Sequence, residues 1–417
     1  MLKVAEQDSR RIRRDGPRAS TMMQRAVLEH STAQFEGQPD ALRRFRIVRP
    51  ANGKIGKVKD LLRMDAYSAA CGFVQGEFSI EGDIIAAMKF YVARSHPRFW
   101  TWWYSIRAAL THARGRFGRP SRKNAARYIQ FHYDRSNEFY RQFLDSRMLY
   151  SSAYFADPAW SLEEAQAAKL EQICRKLRLR TGERFLDVGC GWGGLIAYAA
   201  QHFDVQATGC TLSHQQAEFA RKIAADSGLE DRVAVLERDY RDMQGRFDKV
   251  ASVGMFEHAG YELRGYFRKI YALLADQGLF LNSGILRSCH SYDGPETLFL
   301  QRNVFPGGKL MHLADVIREA ERAGFQVLRV ENLNPHYALT CRRWVERLQA
   351  NEESCRRLVD ERTYRTWLLY LAASAVSFER GRTDVAQVLM AKNNRSRRGF
   401  QRETMSLRSH DSVNKCS

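Results

Sequence analysis

Two short stretches carry residue types that could do chemistry. In the first, Asp187-Val188-Gly189-Cys190-Gly191-Trp192-Gly193-Gly194, the glycines at 189, 191 and 193 permit a sharp turn and a close backbone approach to a ligand. A helix starting behind them would aim its N–H groups at whatever binds. In the second, an apolar run of strand character, Val250-Ala251-Ser252-Val253, ends in Gly254-Met255-Phe256-Glu257-His258 and so sets a carboxylate beside an imidazole. A solvated loop accounts for such a pair as well as proton transfer does. A glycine-rich turn is equally weak by itself, because dinucleotide folds use a similar one. Three neighbours narrow the ligand. Asp187 would repel a pyrophosphate but attract the amino group of a cationic amino-acid moiety. Thr211-Leu212-Ser213, with Gln216 following, offers uncharged groups to a ribose, and Asp239-Tyr240 can hydrogen-bond an adenine amino group and cover its ring. Each could be an ordinary turn or cap residue; in this order they favour S-adenosylmethionine over a dinucleotide.

The elements that must hold these residues follow from periodicity. Short apolar or β-branched runs occur at 184–190, 205–212, 232–238, 247–255, 278–286 and 325–333, with a further strand expected at 384–390. Segments of helical spacing lie between them, such as SHQQAEFARKIAADSG and HLADVIREAERAG, and a helical block covers 341–381. This alternation predicts an α/β fold, a mostly parallel sheet with helices on both faces, whose ligand sits beyond the carboxyl ends of the strands. Residues 58–145 read as helical segments broken at Gly and Pro, among them FYVARSHPRFWTWWYSIRAAL, where aromatic residues alternate with arginines. A buried helix pair or an interfacial surface would each use that pattern.

Composition sets bounds. The 417 residues carry a formal net charge of +19, and residues 1–150 hold 28 Lys and Arg against 14 Asp and Glu. Such a surface suits nucleic acid or the anionic face of a bilayer. Eight scattered cysteines form no C-x-x-C, so neither a disulfide framework nor a zinc site is expected, and no metal is assigned. No run of about 18 apolar residues occurs, so the chain is expected to be soluble or peripheral.

With these residues set out, a resemblance follows. FLDVGCGWGG, TLSHQQ, RDY and VASVGMFEHAG, with FHYDRSNEFYRQFLDSRMLYSSAYF upstream and VFPGGKL and FERGRTDVAQVL downstream, resemble the cyclopropane-fatty-acyl-phospholipid synthase family over roughly residues 125–392. The resemblance implies a Rossmann-like class I methyltransferase domain at 126–392 with a seven-stranded, mostly parallel sheet. A mainly helical lipid-docking region at 51–125, a basic arm at 1–50 and a polar tail at 393–417 would complete the chain. It implies S-adenosylmethionine held by Tyr150, Ser151, Asp187, Gly189, Gly191, Trp192, Gly193, Thr211, Leu212, Ser213, Gln216, Asp239 and Tyr240. It also implies unsaturated acyl chains of membrane phospholipids as substrate, and a cytoplasmic protein peripheral to the inner face of the membrane.

In that family the base is a bicarbonate held by a cysteine, a glutamate, a histidine and a tyrosine. The matching positions here are Ser152, Glu257, Ser283 and Tyr337, with His258 beside the glutamate; a further cysteine often counted as catalytic falls on Ser374. Exchanging a thiol and an imidazole for serines removes much of what would hold the anion. A methylene or methyl-branched product is therefore expected before a cyclopropane. Two other readings are compatible with these residues, a non-catalytic binder serving another lipid-modifying enzyme and a methyltransferase acting on a small amine or phenol. A homo-oligomer or an accessory protein is compatible with the sequence. Nucleic acid is not expected as a partner, since no N/D-P-P-Y/F loop follows the fourth strand.

Overall fold

The computed structural model describes residues 44–48, 64–93, 136–258, 262–289, 295–304 and 310–392. Most of the basic arm, most of the Trp-rich stretch, His132, the centre of VFPGGKL and the polar tail lie outside the described residues, as do the side chains of His258 and of residues 295–298.

The sheet is assembled from runs whose side chains are buried on both faces, as a helix-covered parallel sheet requires. Its first strand, β3 (Arg184–Val188), buries every residue but the first. The chain then makes α5 (Gly194–Phe203), β4 (Gln206–Thr211), α6 (His214–Asp226) and β5 (Val233–Glu237), moving outward on one side. It returns to the other side of β3 with β6 (Phe247–Val253), α7 (Leu263–Leu273) and β7 (Leu274–Arg287), followed by α8 (Pro295–Asn303) and α9 (Leu313–Arg322). β8 (Phe325–Asn332) forms the edge, and β9 (Thr383–Lys392) inserts between β7 and β8. The strand order is β5-β4-β3-β6-β7-β9-β8, with β9 antiparallel to both neighbours. The winding reverses between β3 and β6, and that reversal opens a crevice at their carboxyl ends. Both the seven strands and the mostly parallel arrangement agree with the sequence reading.

Helices cover both faces. Before β3, α4 (Leu162–Leu177) starts at a capping box, in which Ser161 and Glu164 satisfy each other's backbone N–H groups. Its buried stripe packs with α5 and α6 on one face, while α7 and α9 cover the other with Tyr266, Phe267, Ile270 and Val316. A third cluster, rich in aromatic rings, joins the sheet-bearing unit to the N-terminal elements. It gathers α1 (Ala66–Val74), α2 (Ile84–Val92), α3 (Asn137–Arg141), α10 (Asn334–Ala350), α11 (Glu352–Leu358) and α12 (Glu361–Glu379). From α12, Arg365 donates to the carbonyls of Phe73 (3.1 Å) and Phe78 (2.9 Å) and to Ser79 Oγ (2.7 Å). Glu379 pairs with both Lys89 and Arg342. The described N-terminal helices are thus packed on the sheet-bearing unit.

One feature departs from the helical reading of the first third. β1 (Phe45–Val48) and β2 (Ser79–Gly82) pair antiparallel beside α2. Four-residue strands of this kind leave too short an alternation to read from sequence.

Candidate active site

The crevice opens on the turn after β3. Gly189 stands at φ +82°, and a Cβ there would lie 2.6 Å from Met255 Cγ, so the turn after β6 can approach only a glycine. The N–H groups of Gly189 and Cys190 both donate to the Cys210 carbonyl at 3.0 Å, which pins the loop to β4. Cys190 is buried against Gly209, and desolvation raises its thiol well above the ordinary range; it fills space and is no nucleophile.

A cavity at this crevice is lined by Tyr150, Ser151, Asp187, Gly189, Gly191, Trp192, Thr211, Leu212, Gln216, Asp239 and Tyr240. The two other residues assigned to the cofactor act from behind its wall: Gly193 is the N-cap of α5, and the fully buried Ser213 caps α6 by accepting from the Gln216 N–H. Thr211 Oγ1 donates to Gln216 Oε1 (2.7 Å), fixing the uncharged edge of the cavity. Trp192 Nε1 donates to Asn137 Oδ1 (2.7 Å), and its ring packs 4.9 Å from that of Tyr140, so α3 closes over the glycine turn. Asp239 lines the cavity and already has a partner there. Arg241 folds back on it, with Nε donating at 2.8 Å, and Asp239 also caps its own turn. Tyr240 beside it meets Tyr266 edge-on at 5.6 Å.

Asp187 is 3% exposed and its Oδ1 has no hydrogen-bond partner. Burial pushes its carboxyl up to about 7, opposed by the nearby charge of Lys169. A buried, half-satisfied carboxylate is costly unless a cationic ligand completes it.

Several residues here escaped sequence reasoning. Lys169 lines the cavity, as do Arg238 and Arg241, while Gln166 lies behind it and donates to the Leu149 and Ser151 carbonyls at 3.2 and 3.1 Å. For Lys169 a signal existed, since it interrupts the apolar stripe of α4 with a cation.

Glu257 follows two residues after Met255, in a short 3-10 turn at Phe256–His258. It is 9% exposed; Oε1 accepts from the Ile285 N–H (2.5 Å) where β6 has ended, and Oε2 is buried without a partner. Desolvation drives its carboxyl up to about 7, against the pull of the Ile285 hydrogen bond. Gly284 is required beside it, since a Cβ would fall 2.2 Å from Phe256 Cε1 and 2.7 Å from Glu257 Oε1. Toward the aromatic cluster, Tyr150 is ringed by Tyr140, Phe143, Trp344 and Trp367, and its hydroxyl lies 3.5 Å from that of Tyr370. Tyr337 stacks on Phe378 at 4.4 Å, and Ser374 lies near the Tyr370 hydroxyl. His336 accepts from the Phe155 N–H (3.1 Å), and its pKa is lowered by burial, which makes it a structural residue.

Residues 120–388 match the family model described as mycolic acid cyclopropane synthetase. The chain belongs to that family. Like its members it is an S-adenosylmethionine-dependent methyltransferase. It is 40% identical over 328 residues to a probable fatty acid methyltransferase of Pseudomonas putida, covering 77% of this chain and 81% of the relative. It is 36% identical to cyclopropane mycolic acid synthase 1 of Mycobacterium tuberculosis, covering 63% of this chain and 96% of that one. Among solved structures it resembles mycolic acid cyclopropane synthase CmaA1 complexed with SAH and CTAB, at a TM-score of 0.61 and 35% identity over 64% of this chain and 98% of that one.

Two groups associated with the synthase family can be tested against these residues. S-adenosylmethionine fits: the orphaned Asp187 oxygen suits an ammonium, the Thr211–Gln216 edge a ribose, and the Trp192 and Tyr240 rings an apolar wall. Bicarbonate does not. Ser152 Oγ donates to the Ala153 carbonyl (3.0 Å), and no described hydrogen bond joins either serine to Glu257. Ser283 lies on the pleat face of β7 opposite Gly284, whereas Asn282 shares the Gly284 face and accepts from Tyr266 Oη (2.8 Å). Both serines are neutral and neither is bonded to Glu257, so a second anion beside that carboxylate would find no counter-charge from them. Asn282 was readable in GLFLNSGIL as a polar residue inside an apolar strand.

Proposed function

We propose that this protein transfers a methyl group from S-adenosylmethionine to the double bond of an unsaturated acyl chain in a membrane phospholipid. The product is a methylene or methyl-branched chain in preference to a ring. The observation that carries this reading is the buried Glu257 carboxylate, with one oxygen free, two residues beyond Met255, which lines the cofactor cavity.

When bound, S-adenosylmethionine would supply an electrophilic methyl group, whose S–CH3 bond breaks with the electron pair left on sulfur, so that S-adenosylhomocysteine departs. Asp187 and the Thr211–Gln216 edge orient the cofactor, and the turn at Gly189 lets the backbone come close. An alkene that accepts a methyl cation becomes a carbocation, so one C–H bond must give up its proton. The rings of Tyr140, Tyr150, Trp344 and Trp367 exclude water and offer electron-rich faces to that charge. Glu257 takes the proton: the C–H electron pair closes the new bond, the carboxylate becomes a carboxyl, and the chain has gained one CH2. A carboxyl near 7 is poised for this at neutral pH. A hydride shift moves the cation before the proton leaves, which gives a branch in place of a ring.

The basic excess of residues 1–150 supports docking on the anionic, inner face of a bilayer. Among the described residues no helix is long and apolar enough to cross a membrane. Incubating the purified protein with methyl-labelled S-adenosylmethionine and unsaturated phospholipid vesicles tests the reading. Label is expected in the acyl methyl esters. Label only in added small amines or phenols, or cofactor binding with no transfer, would sink it.

A further inference from the structure

Lys169 is a buried cation that the mechanism does not yet use. It sits on α4 in a stripe with Leu162, Ala165, Leu170 and Ile173, is 3% exposed, and lines the cofactor cavity. Burying an ammonium costs several kcal/mol unless its hydrogens find acceptors. Its one described hydrogen bond goes to Ser151 Oγ (3.2 Å). Two carboxylates lie near enough to act on its charge, Asp145 and Asp187. Neither is hydrogen-bonded to it: Asp145 accepts from the N–H groups of Leu149 (2.8 Å) and Arg147 (3.1 Å), and Asp187 leaves Oδ1 unpartnered. Two ammonium hydrogens therefore have no described acceptor.

We infer that Lys169, with Ser151 beside it, receives the carboxylate of the cofactor's amino-acid end, while Asp187 receives its ammonium. Rather than a bare acidic pocket, the crevice presents a cation and an anion side by side, complementary to a zwitterion. Gln166 contributes by holding the Leu149 and Ser151 carbonyls, which keeps the Ser151 hydroxyl on Lys169. The inference rests on the cavity being the cofactor's.

The test measures affinities of the full chain by calorimetry for three probes: S-adenosylmethionine, its decarboxylated form, and 5′-methylthioadenosine, which lacks the amino-acid end. Lys169→Met should weaken S-adenosylmethionine about 10- to 100-fold, as expected for loss of a charge-assisted hydrogen bond. It should change the decarboxylated form and methylthioadenosine by no more than about twofold, and Lys169→Arg should recover part of the loss. Ser151→Ala, a milder change, should show the same selectivity at smaller size and serves if Lys169→Met does not fold. Equal loss on all three probes would make Lys169 a packing residue and overturn the assignment, as would an unchanged affinity for S-adenosylmethionine. A wild-type protein that binds none of the three would overturn the cofactor reading, and the lysine's role with it.

Discussion

Glu257→Gln should make the protein more stable at alkaline pH while abolishing turnover. In the folded chain burial raises this carboxyl from 4.5 to about 7. The unfolded chain ionises it freely, so the folded state is penalised wherever the unfolded one has already lost the proton. The stability kept by a protonated Glu257 is full below pH 4.5, declines as pH rises, and is gone above about 7. At roughly 1.4 kcal/mol per pH unit the penalty reaches about 3 kcal/mol. Glutamine keeps the acceptor for the Ile285 N–H and cannot ionise, so it escapes that penalty. Urea denaturation of wild type and variant should therefore agree within about 1 kcal/mol at pH 5 and differ by about 3 kcal/mol at pH 8.5, with the variant more stable. Asp187 is raised in the same direction and is common to both proteins, so it cancels in the difference. Turnover should fall at least about 100-fold if Glu257 takes the proton, with affinity for S-adenosylmethionine unchanged. A stability difference independent of pH would refute the buried ionisation, and unchanged turnover would remove Glu257 from the chemistry.

Further outcomes follow from packing and charge. Gly284→Ala should cost about 1–3 kcal/mol by overpacking against Phe256 and should lower turnover by displacing Glu257, read from urea midpoints and acyl labelling. Arg365→Met should take the guanidinium partner from the Phe78 carbonyl and leave the Phe73 carbonyl with only the Gly76 N–H, at about 1–3 kcal/mol; hydrogen exchange should then show α1 losing protection while β3 keeps its own. Binding to anionic phospholipid vesicles should weaken steeply as salt rises from about 50 to 200 mM, and tight salt-insensitive binding would count against electrostatic docking.

The sheet was legible because each strand is a compact apolar run bounded by turn residues. Where tertiary pairing overrode local pattern, it was not. LRGYFRKIYALLA reads as helix through Ala275, yet β7 begins at Leu274 because Phe247 of β6 pairs with it there. The site divides in the same way. Asp187, the glycine turn, Thr211 and Glu257 are local motifs whose chemistry follows from residue type and position at a strand end. What Asp239 does depends on Arg241 two residues away, and which face Ser283 presents depends on the pleat of β7; neither is set by residue type. Lys169 needed the fold most, because a lysine in an apolar helix stripe comes to line the cavity only when β3 and the Leu149–Ser151 segment enclose it.

Under the proposed function this chain methylates carbon in acyl chains, with Glu257 removing the proton. Trideuteromethyl S-adenosylmethionine, unsaturated phospholipid vesicles and mass spectrometry of the methyl esters test it most directly. The account predicts acyl chains that have gained one carbon and retained a double bond, with three deuterons in a methyl branch or two in a methylene. Retention of two deuterons in a saturated ring would contradict the branch assignment, and bound cofactor with no label in any acyl chain would contradict the claim itself.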